Sequence, residues 1–345
     1  MKSKIAVAGA GIYGTSIAIR LAEYGHQVTL FDPLGVLQAA SVINQYRIHS
    51  GYHYPRSPET ILETLEARAE FQTTFAEAIV RNSHHFYAIP KEGSVTSPDL
   101  FESVMSRFGI PFERVRPEWM NFDFIDKCYA VDEHIYDPDV LRNIIVTRIR
   151  ELKIPLEQRS FVPAMRSDFD TVVWATYGLG YSRGIFKAAK YQVAEKILIE
   201  LPERLHGISL VIVDGPFTAF DPYGSSKRSL FGSAKNTNHW TTTSPSEPIP
   251  EPYASLLNRP NWGPFEGSRF DAMRKDSALG VPASIGAKYL GSRFTIRVVE
   301  NNPAEDRRTL YVQDGEPGEI HIFSGKVVSA VKAARLVREK IESNA

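Results

Sequence analysis

The chain has 345 residues, 43% hydrophobic, 23% charged and 11% aromatic, which is enough apolar material for a large core and about two domains. Lysine plus arginine and aspartate plus glutamate number 40 each, so no global field draws the chain to nucleic acid or to an anionic membrane. No apolar run approaches the roughly 18 residues of a membrane span. Met1-Lys2-Ser3-Lys4 leads into a strand without signal-peptide anatomy, and the lone Cys128 excludes an intrachain disulfide, so the expected compartment is the cytoplasm.

Residues 4–8 form a short apolar run of strand length, followed by Gly9-Ala10-Gly11-Ile12-Tyr13-Gly14. Residues 15–24 then carry Ile17, Ala18, Leu21 and Ala22 in helical rhythm, and Gly25 stands where a helix C-cap belongs. Residues 27–31 make a second strand, which Asp32 ends. Strand, G-x-G-x-x-G, helix, strand and acid follow in the order of a dinucleotide site. Gly9 permits the tight turn, Gly11 lets the backbone approach a pyrophosphate, and Gly14 lets the helix pack close to the sheet. Ile12 and Tyr13 open the helix, whose unpaired N–H groups face the phosphates. Asp32 is suited to a ribose 2′-hydroxyl, and its charge opposes a 2′-phosphate. The motif alone fits FAD and NAD equally.

Three later segments separate the two. Ser41-Val42-Ile43-Asn44-Gln45-Tyr46-Arg47-Ile48-His49-Ser50-Gly51-Tyr52-His53-Tyr54-Pro55 resembles the second flavin-contacting stretch of the D-amino-acid-oxidase-like (DAO) superfamily of FAD-dependent oxidoreductases. With His49-Ser50-Gly51 followed by aromatics and Pro55, it also resembles L-2-hydroxyglutarate dehydrogenase. Thr171-Val172-Val173-Trp174-Ala175-Thr176-Tyr177-Gly178 resembles the superfamily's buried strand behind the adenosine, with one residue inserted before the glycine. His134-Ile135-Tyr136-Asp137-Pro138 is similar to its Asp-Pro helix start. Glu319-Ile320-His321-Ile322-Phe323-Ser324-Gly325-Lys326-Val327-Val328 resembles its C-terminal strand, glycine turn and helix, whose N-terminus faces the flavin N1–C2=O edge. Asp306-Arg307-Arg308-Thr309 is similar to the charged stretch before the final strand, and its charges are read as mainly structural.

The resemblance implies an α/β fold: a discontinuous Rossmann-like FAD/NAD(P)-binding domain of residues 1–80, 130–185 and 290–345. Residues 81–129 and 186–289 then form an α+β substrate domain with a mainly antiparallel sheet. The cofactor-binding set it implies is Gly9, Gly11, Ile12, Tyr13, Gly14, Asp32, Ser41, Asn44, Arg47, His49, Gly51, Val162, Ala175, Thr176, Gly178, Ser324, Gly325, Lys326 and Val327.

In the middle of the chain, Ser57-Pro58-Glu59 reads as a helix start, and residues 86–89, 191–201 and 210–213 read as strands. Asp214-Gly215 and Asp221-Pro222 read as turns between antiparallel strands. Residues 241–268 are a long surface excursion, suited equally to a lid, a partner surface or a passive insertion. His84 and His85 point to opposite faces of a strand, and the other histidines lack ligand spacing, so no metal site is expected.

Flavin oxidation of an amine or alcohol needs a C–H held over N5, a proton acceptor, and a cation where the substrate is an acid. His49 and His53 are the candidates for the proton; His49 has structural and covalent-attachment readings beside the catalytic one. Arg297 is the preferred anion anchor and Arg56 the second, with Tyr54 and Tyr223 as further substrate contacts. The expected activity is oxidation of a CH–NH or CH–OH bond in a small polar, anionic substrate, with O₂ or another acceptor taking the electrons. A biosynthetic tailoring flavoenzyme acting on a sugar or antibiotic-like intermediate, a flavin-binding protein without redox activity, and an NAD dehydrogenase are the rival readings.

Overall fold

The structure, a computed structural model, describes residues 2–178, 189–301 and 310–343. Residues 179–188 and Asp306-Arg307-Arg308-Thr309 lie outside the described residues.

The apolar run Lys4–Ala8 has neighbours on both sides and forms the centre of a six-stranded sheet. Across that sheet the order is Tyr311–Asp314, Glu319–Phe323, Thr171–Trp174, Lys4–Ala8, Gln27–Phe31 and Leu156–Glu157. All pairs are parallel except the edge pair of Tyr311–Asp314 with Glu319–Phe323. The helices Ile12–Glu23, Pro138–Glu151 and Ala330–Ser343 bury Ile17, Leu21, Leu141, Ile145 and Val337 against one face. Asp137 caps the second of these: its carboxylate accepts the N–H groups of Asp139 and Val140, and Pro138 occupies the first turn. The other face is closed by Phe161, Met165 and Phe169, packed with Phe31 and Trp174.

A nine-stranded sheet stands beside this unit. It contains His84–Pro90, Phe112–Val115, Ile125–Val131, Ala189–Glu200, Ile208–Ile212, Thr218–Pro222, Arg228–Ser233, Asn238–Thr242 and Lys288–Glu300. Its pairs are antiparallel apart from Ile208–Ile212 with His84–Pro90. The α/β architecture with a Rossmann-like sheet and a mainly antiparallel second sheet is therefore as the sequence implies. The chain returns later than expected, because Lys288–Glu300 pairs along its length with Ala189–Glu200. Residues 290–300 thus belong to the antiparallel sheet, and the Rossmann-like sheet is rejoined at Tyr311–Asp314.

Two local readings change as well. Asp221-Pro222 ends the strand Thr218–Pro222, so Asp221 is a fully buried strand residue where a turn was expected. The excursion of residues 241–268 is fastened to the sheet by bridges of Leu257 to Phe294 and Gly263 to Ser292. Tyr253 and Phe265 pack on Phe294, and His239 donates at 2.7 Å to the buried Glu195, which also accepts from Ser292. Its anchor is thus a buried carboxylate with an aromatic cluster around it.

Close packing of the first helix depends on Gly14, since a Cβ there would lie 1.8 Å from the Gly9 carbonyl oxygen. Gly325, by contrast, has no atom within 4 Å of an added Cβ. Gly14→Ala is expected to destabilise the protein by about 1–3 kcal/mol, the range for a backbone forced to shift by overpacking. Gly325→Ala should stay within about 0.5 kcal/mol. Denaturant midpoints of the two variants make the comparison, and equal midpoints would contradict the packing role of Gly14.

Candidate active site

The strand Lys4–Ala8 ends in Gly9 at φ +103, where an added Cβ would lie 2.5 Å from the Ala175 carbonyl oxygen. The loop therefore touches the end of the neighbouring strand Thr171–Trp174, and Ala175 N donates to Ala8 O at 2.8 Å. Gly11 approaches Ser41 so closely that a Cβ would meet its hydroxyl oxygen at 2.9 Å. That hydroxyl accepts the Ile12 N–H at 2.9 Å, so Ser41 stands at the N-terminus of the first helix. Asp32 accepts Ala10 N–H on Oδ2 and Leu34 and Gly35 N–H on Oδ1. Lone pairs remain on the carboxylate for ribose hydroxyls.

Two further elements complete the cradle. Tyr177, the inserted residue, takes up its extra length in the left-handed region at φ +55, stacks on Phe323 and accepts the Val298 N–H with its hydroxyl. This leaves the Thr176 hydroxyl buried without a hydrogen-bond partner. Gly178 is held close to Val298, where an added Cβ would clash at 2.1 Å. From the C-terminal side, the Lys326 carbonyl accepts the Tyr13 phenol, and Ser324 Oγ accepts the Lys326 N–H at 3.2 Å. The helical turn Val327–Ser329 follows before the long helix begins at Ala330. The Ile12–Ser41, Gly9–Ala175 and Tyr13–Lys326 contacts thus bring four distant segments together. The close backbone approach at Gly9 and Gly11, the Ser41 hydroxyl at the helix end and the orphaned Thr176 hydroxyl fit a dinucleotide.

Other expected ligands have different employment. Asn44 braces its own loop: Nδ2 donates to Ala40 and Ser41 carbonyls, and Oδ1 accepts from Tyr46 N and the Tyr136 hydroxyl. It holds Ser41 in place. Arg47, expected on phosphate, is buried and paired at 2.6 Å with both Glu133 and Asp221, and it donates to Ser209. Lys326 sends its ammonium to Thr64 Oγ1 at 3.0 Å and toward Glu63 at 3.5 Å, over the Tyr54 ring. Gly51, at φ +99, turns the chain where a Cβ would strike Ile110 and Ile61. Val162 leads into the turn Pro163–Asp168 with an exposed side chain, and any contact it makes with an adenine is through its backbone.

The segment that carries Ser41 also carries the histidines. His49 Nδ1 lies 3.6 Å from Glu133 Oε1, and the rings of His49, His53 and Tyr54 sit 5.3–5.7 Å apart. Glu133 has no exposed side-chain surface and accepts from Arg47, the Ser50 N–H and the Tyr87 hydroxyl. Burial pushes its carboxyl upward, but the facing His49 and the Arg47 charge outweigh this and hold it well below the usual range. Arg297 donates to Gln192 at 3.2 Å on the antiparallel sheet. Arg56 pairs with Asp214 at 2.8 Å near the surface. Tyr223 stacks edge-on against Tyr46 and Trp262. Among the described residues no cluster of metal-ligating side chains occurs.

Glu133, Asp221, Lys196 and Gln192 are the polar residues that the sequence reading did not select. Their signal was slight: single charged or amide residues inside otherwise strand-like runs.

The buried charges predict acid lability. Glu133, held low, contributes stability above its ordinary range that is lost as the pH falls. Burial, then Arg47, lowers His85 to about 3, below its ordinary 6.5. The unfolded chain then takes the proton first, and stability present above pH 6.5 is lost on descent toward 3. His85→Asn should flatten the upper part of that limb in thermal unfolding scanned from about pH 7.5 to 4. Glu133→Ala is expected to cost about 3–5 kcal/mol at neutral pH, as for a broken buried ion pair. A loss below about 1 kcal/mol would mean that Arg47 is held by Asp221 alone.

Residues 4–143 match the family described as FAD dependent oxidoreductase (DAO). The chain is 26% identical over 234 residues to the FAD-dependent monooxygenase FPY4 of Fusarium mangiferae, covering 63% of this chain and 60% of the relative. It is 31% identical over 147 residues to the FAD-dependent monooxygenase kojA of Aspergillus flavus, covering 41% and 34%. The matched parts thus span about three-fifths and one-third of those relatives' length. In fold, it is similar to glycine oxidase from Geobacillus kaustophilus, at TM-score 0.74 and 15% identity over 99% of this chain and 95% of that one. L-proline dehydrogenase from P. horikoshii superposes at TM-score 0.70 and 13% identity, covering 98% and 94%. Residues 4–143 are therefore similar to the DAO type of FAD-dependent oxidoreductase, and FAD is the cofactor that the cradle fits.

Proposed function

We propose that the protein oxidises a CH–NH or CH–OH bond in a small anionic substrate. The observation that supports this most directly is the approach of Glu133 to His49, which lies on the same short segment as Ser41. Bound FAD supplies the two-electron acceptor for the substrate hydride. Gly9, Gly11, Ile12, Tyr13, Gly14, Asp32, Ser41, Ala175, Thr176, Gly178, Ser324 and Gly325 form the wall that holds the dinucleotide. Arg297 orients the substrate through a carboxylate, which a guanidinium grips in two places.

His49 takes the proton released from the substrate nitrogen or oxygen. Glu133 faces Nδ1 and fixes the ring, leaving Nε2 for the substrate, the arrangement by which a buried carboxylate orients a histidine base. His53 and Tyr54 line the same corner. The resemblance read in residues 41–55 to L-2-hydroxyglutarate dehydrogenase favours a hydroxy acid, whereas the likeness in fold to glycine oxidase and L-proline dehydrogenase favours an amino acid. The monooxygenases among the curated relatives favour O₂ as the electron acceptor.

The purified protein should be yellow, with bands near roughly 375 and 450 nm as for an oxidised flavin cofactor. Acid precipitation should release the colour; colour retained in the pellet would make His49 an attachment site. A colourless protein that takes up no added FAD would remove the basis of the proposal. With a turned-over acid in hand, Arg297→Ala should raise KM about 10- to 100-fold or more, the effect of losing a charged hydrogen-bonded anchor. His49→Gln should lower kcat by about 10²- to 10⁴-fold. Unchanged turnover in either variant would refute the role given to that residue.

A further inference from the structure

Residues directly opposite on antiparallel strands share a face. The register sets Gln192 beside Arg297, Ala194 beside Thr295 and Lys196 beside Arg293, so Lys196 and Arg297 project from the same side of the antiparallel sheet. On the next strand Gly232 leaves room where a Cβ would lie 2.3 Å from Gln45 Nε2 and 3.3 Å from Lys196 Nζ. A side chain at 232 would push Lys196 away from Gln45, four residues before His49 on the segment that carries Ser41. The lysine therefore stands at the meeting of the sheet with the flavin-side segment.

The charges around it do not balance. Facing Lys196 are Arg297 on the neighbouring strand, Arg47 on the flavin-side segment, and one acid, Asp221. Asp221 uses Oδ1 for Arg47 at 2.6 Å and for Ser209 at 2.8 Å, and its buried Oδ2 makes no hydrogen bond, to Lys196 or to any other described residue. Arg293, the cross-strand partner, turns elsewhere, to the carbonyls of Arg259 and Gln38 and the Trp262 ring. Among the described residues Lys196 makes neither a hydrogen bond nor an ion pair within the usual distances, although it is partly buried. A cation in such a place is costly unless an anion reaches it.

We propose that Lys196 is the second cation of the substrate site and shares with Arg297 the carboxylate of an organic acid. The inference rests on the oxidoreductase reading and makes it narrower: the preferred substrates are acids, and their affinity depends on the charge of a lysine. Burial, despite Asp221, lowers that amine to about 8. The lysine is charged below this value and neutral above it, so acid binding weakens as the pH rises through 8. A bound carboxylate works in the opposite sense and raises the amine.

The test uses the FAD-loaded protein with acetate and malonate as probes, followed by perturbation of the flavin absorption between about pH 6 and 10. Wild-type affinity should be flat below pH 8 and fall about tenfold per pH unit above it, as for one required proton. Lys196→Met should bind the probes about 10-fold or more weakly at pH 7 and lose the pH dependence. Lys196→Arg should keep tight binding and extend it to pH 10. Independently of activity, ¹³C-methylated lysine spectra should contain one resonance, absent from Lys196→Met, that titrates near 8 and moves up when malonate is added. The proposal is overturned if wild-type affinity is flat to pH 10, if Lys196→Met binds as wild type, if no probe binds, or if the resonance ignores malonate. If Lys196→Met does not fold, Lys196→Arg and the lysine spectra still decide the matter. Absence of flavin from the wild-type protein would instead be a failure of the oxidoreductase reading, visible before any probe is added.

Discussion

The Arg47 guanidinium ties the two halves of the molecule together. It sits on the short strand Arg47–Ile48, within the segment that leaves the nucleotide cradle, and its partners come from elsewhere. Glu133 follows the strand Ile125–Val131, and Asp221 and Ser209 lie in the antiparallel sheet. Charges with almost no exposure are tolerated only when paired and hydrogen-bonded, and this network pairs each of them while leaving Arg47 Nε and Asp221 Oδ2 without a hydrogen bond among the described residues. The position of His49 follows from it, since Glu133 faces both residues. So does the approach of Lys196 to Gln45, because Asp221 holds the sheet against the flavin-side segment. Hydrophobic contact joins the same layers, but it does not specify which side chains meet.

The nucleotide-binding unit was legible in the sequence because its determinants are local. Five residues of strand, three glycines at fixed spacing, a helical rhythm and a terminal acid all lie within residues 4–32, and the backbone geometry follows from them. Asp137-Pro138 was equally legible, since a cap and its helix are adjacent. The polar interior was not. Arg47 meets Glu133 across 86 residues, and no periodicity in the sequence indicates that either charge is buried. Arg47 therefore resembled a phosphate ligand, as Asp221 resembled a turn residue. Both misreadings have the same origin: a charge was assigned to the nearest chemical need, whereas strand pairing supplied a distant one.

The inserted Tyr177 is a smaller instance of a local anomaly with a non-local resolution. An extra residue at the end of a strand would displace whatever follows it. Here the left-handed turn and the stack on Phe323 take up the insertion, and the phenol reaches across to the Val298 N–H. The site is thereby coupled to the antiparallel sheet through a side chain that sequence comparison treats as an irregularity.

The strand Ala189–Glu200 carries opposite charges on consecutive residues that face opposite ways. Glu195 holds the 241–268 excursion through His239 and Ser292, and Lys196 faces Gln45 on the segment that carries Ser41. Alternation has period two, so a slip of one residue would exchange them. The excursion would then meet a lysine, and the site a carboxylate that repels acids. Strand register is thus a determinant of ligand polarity here, and the aromatic clasp on the far side of the sheet acts as its lock.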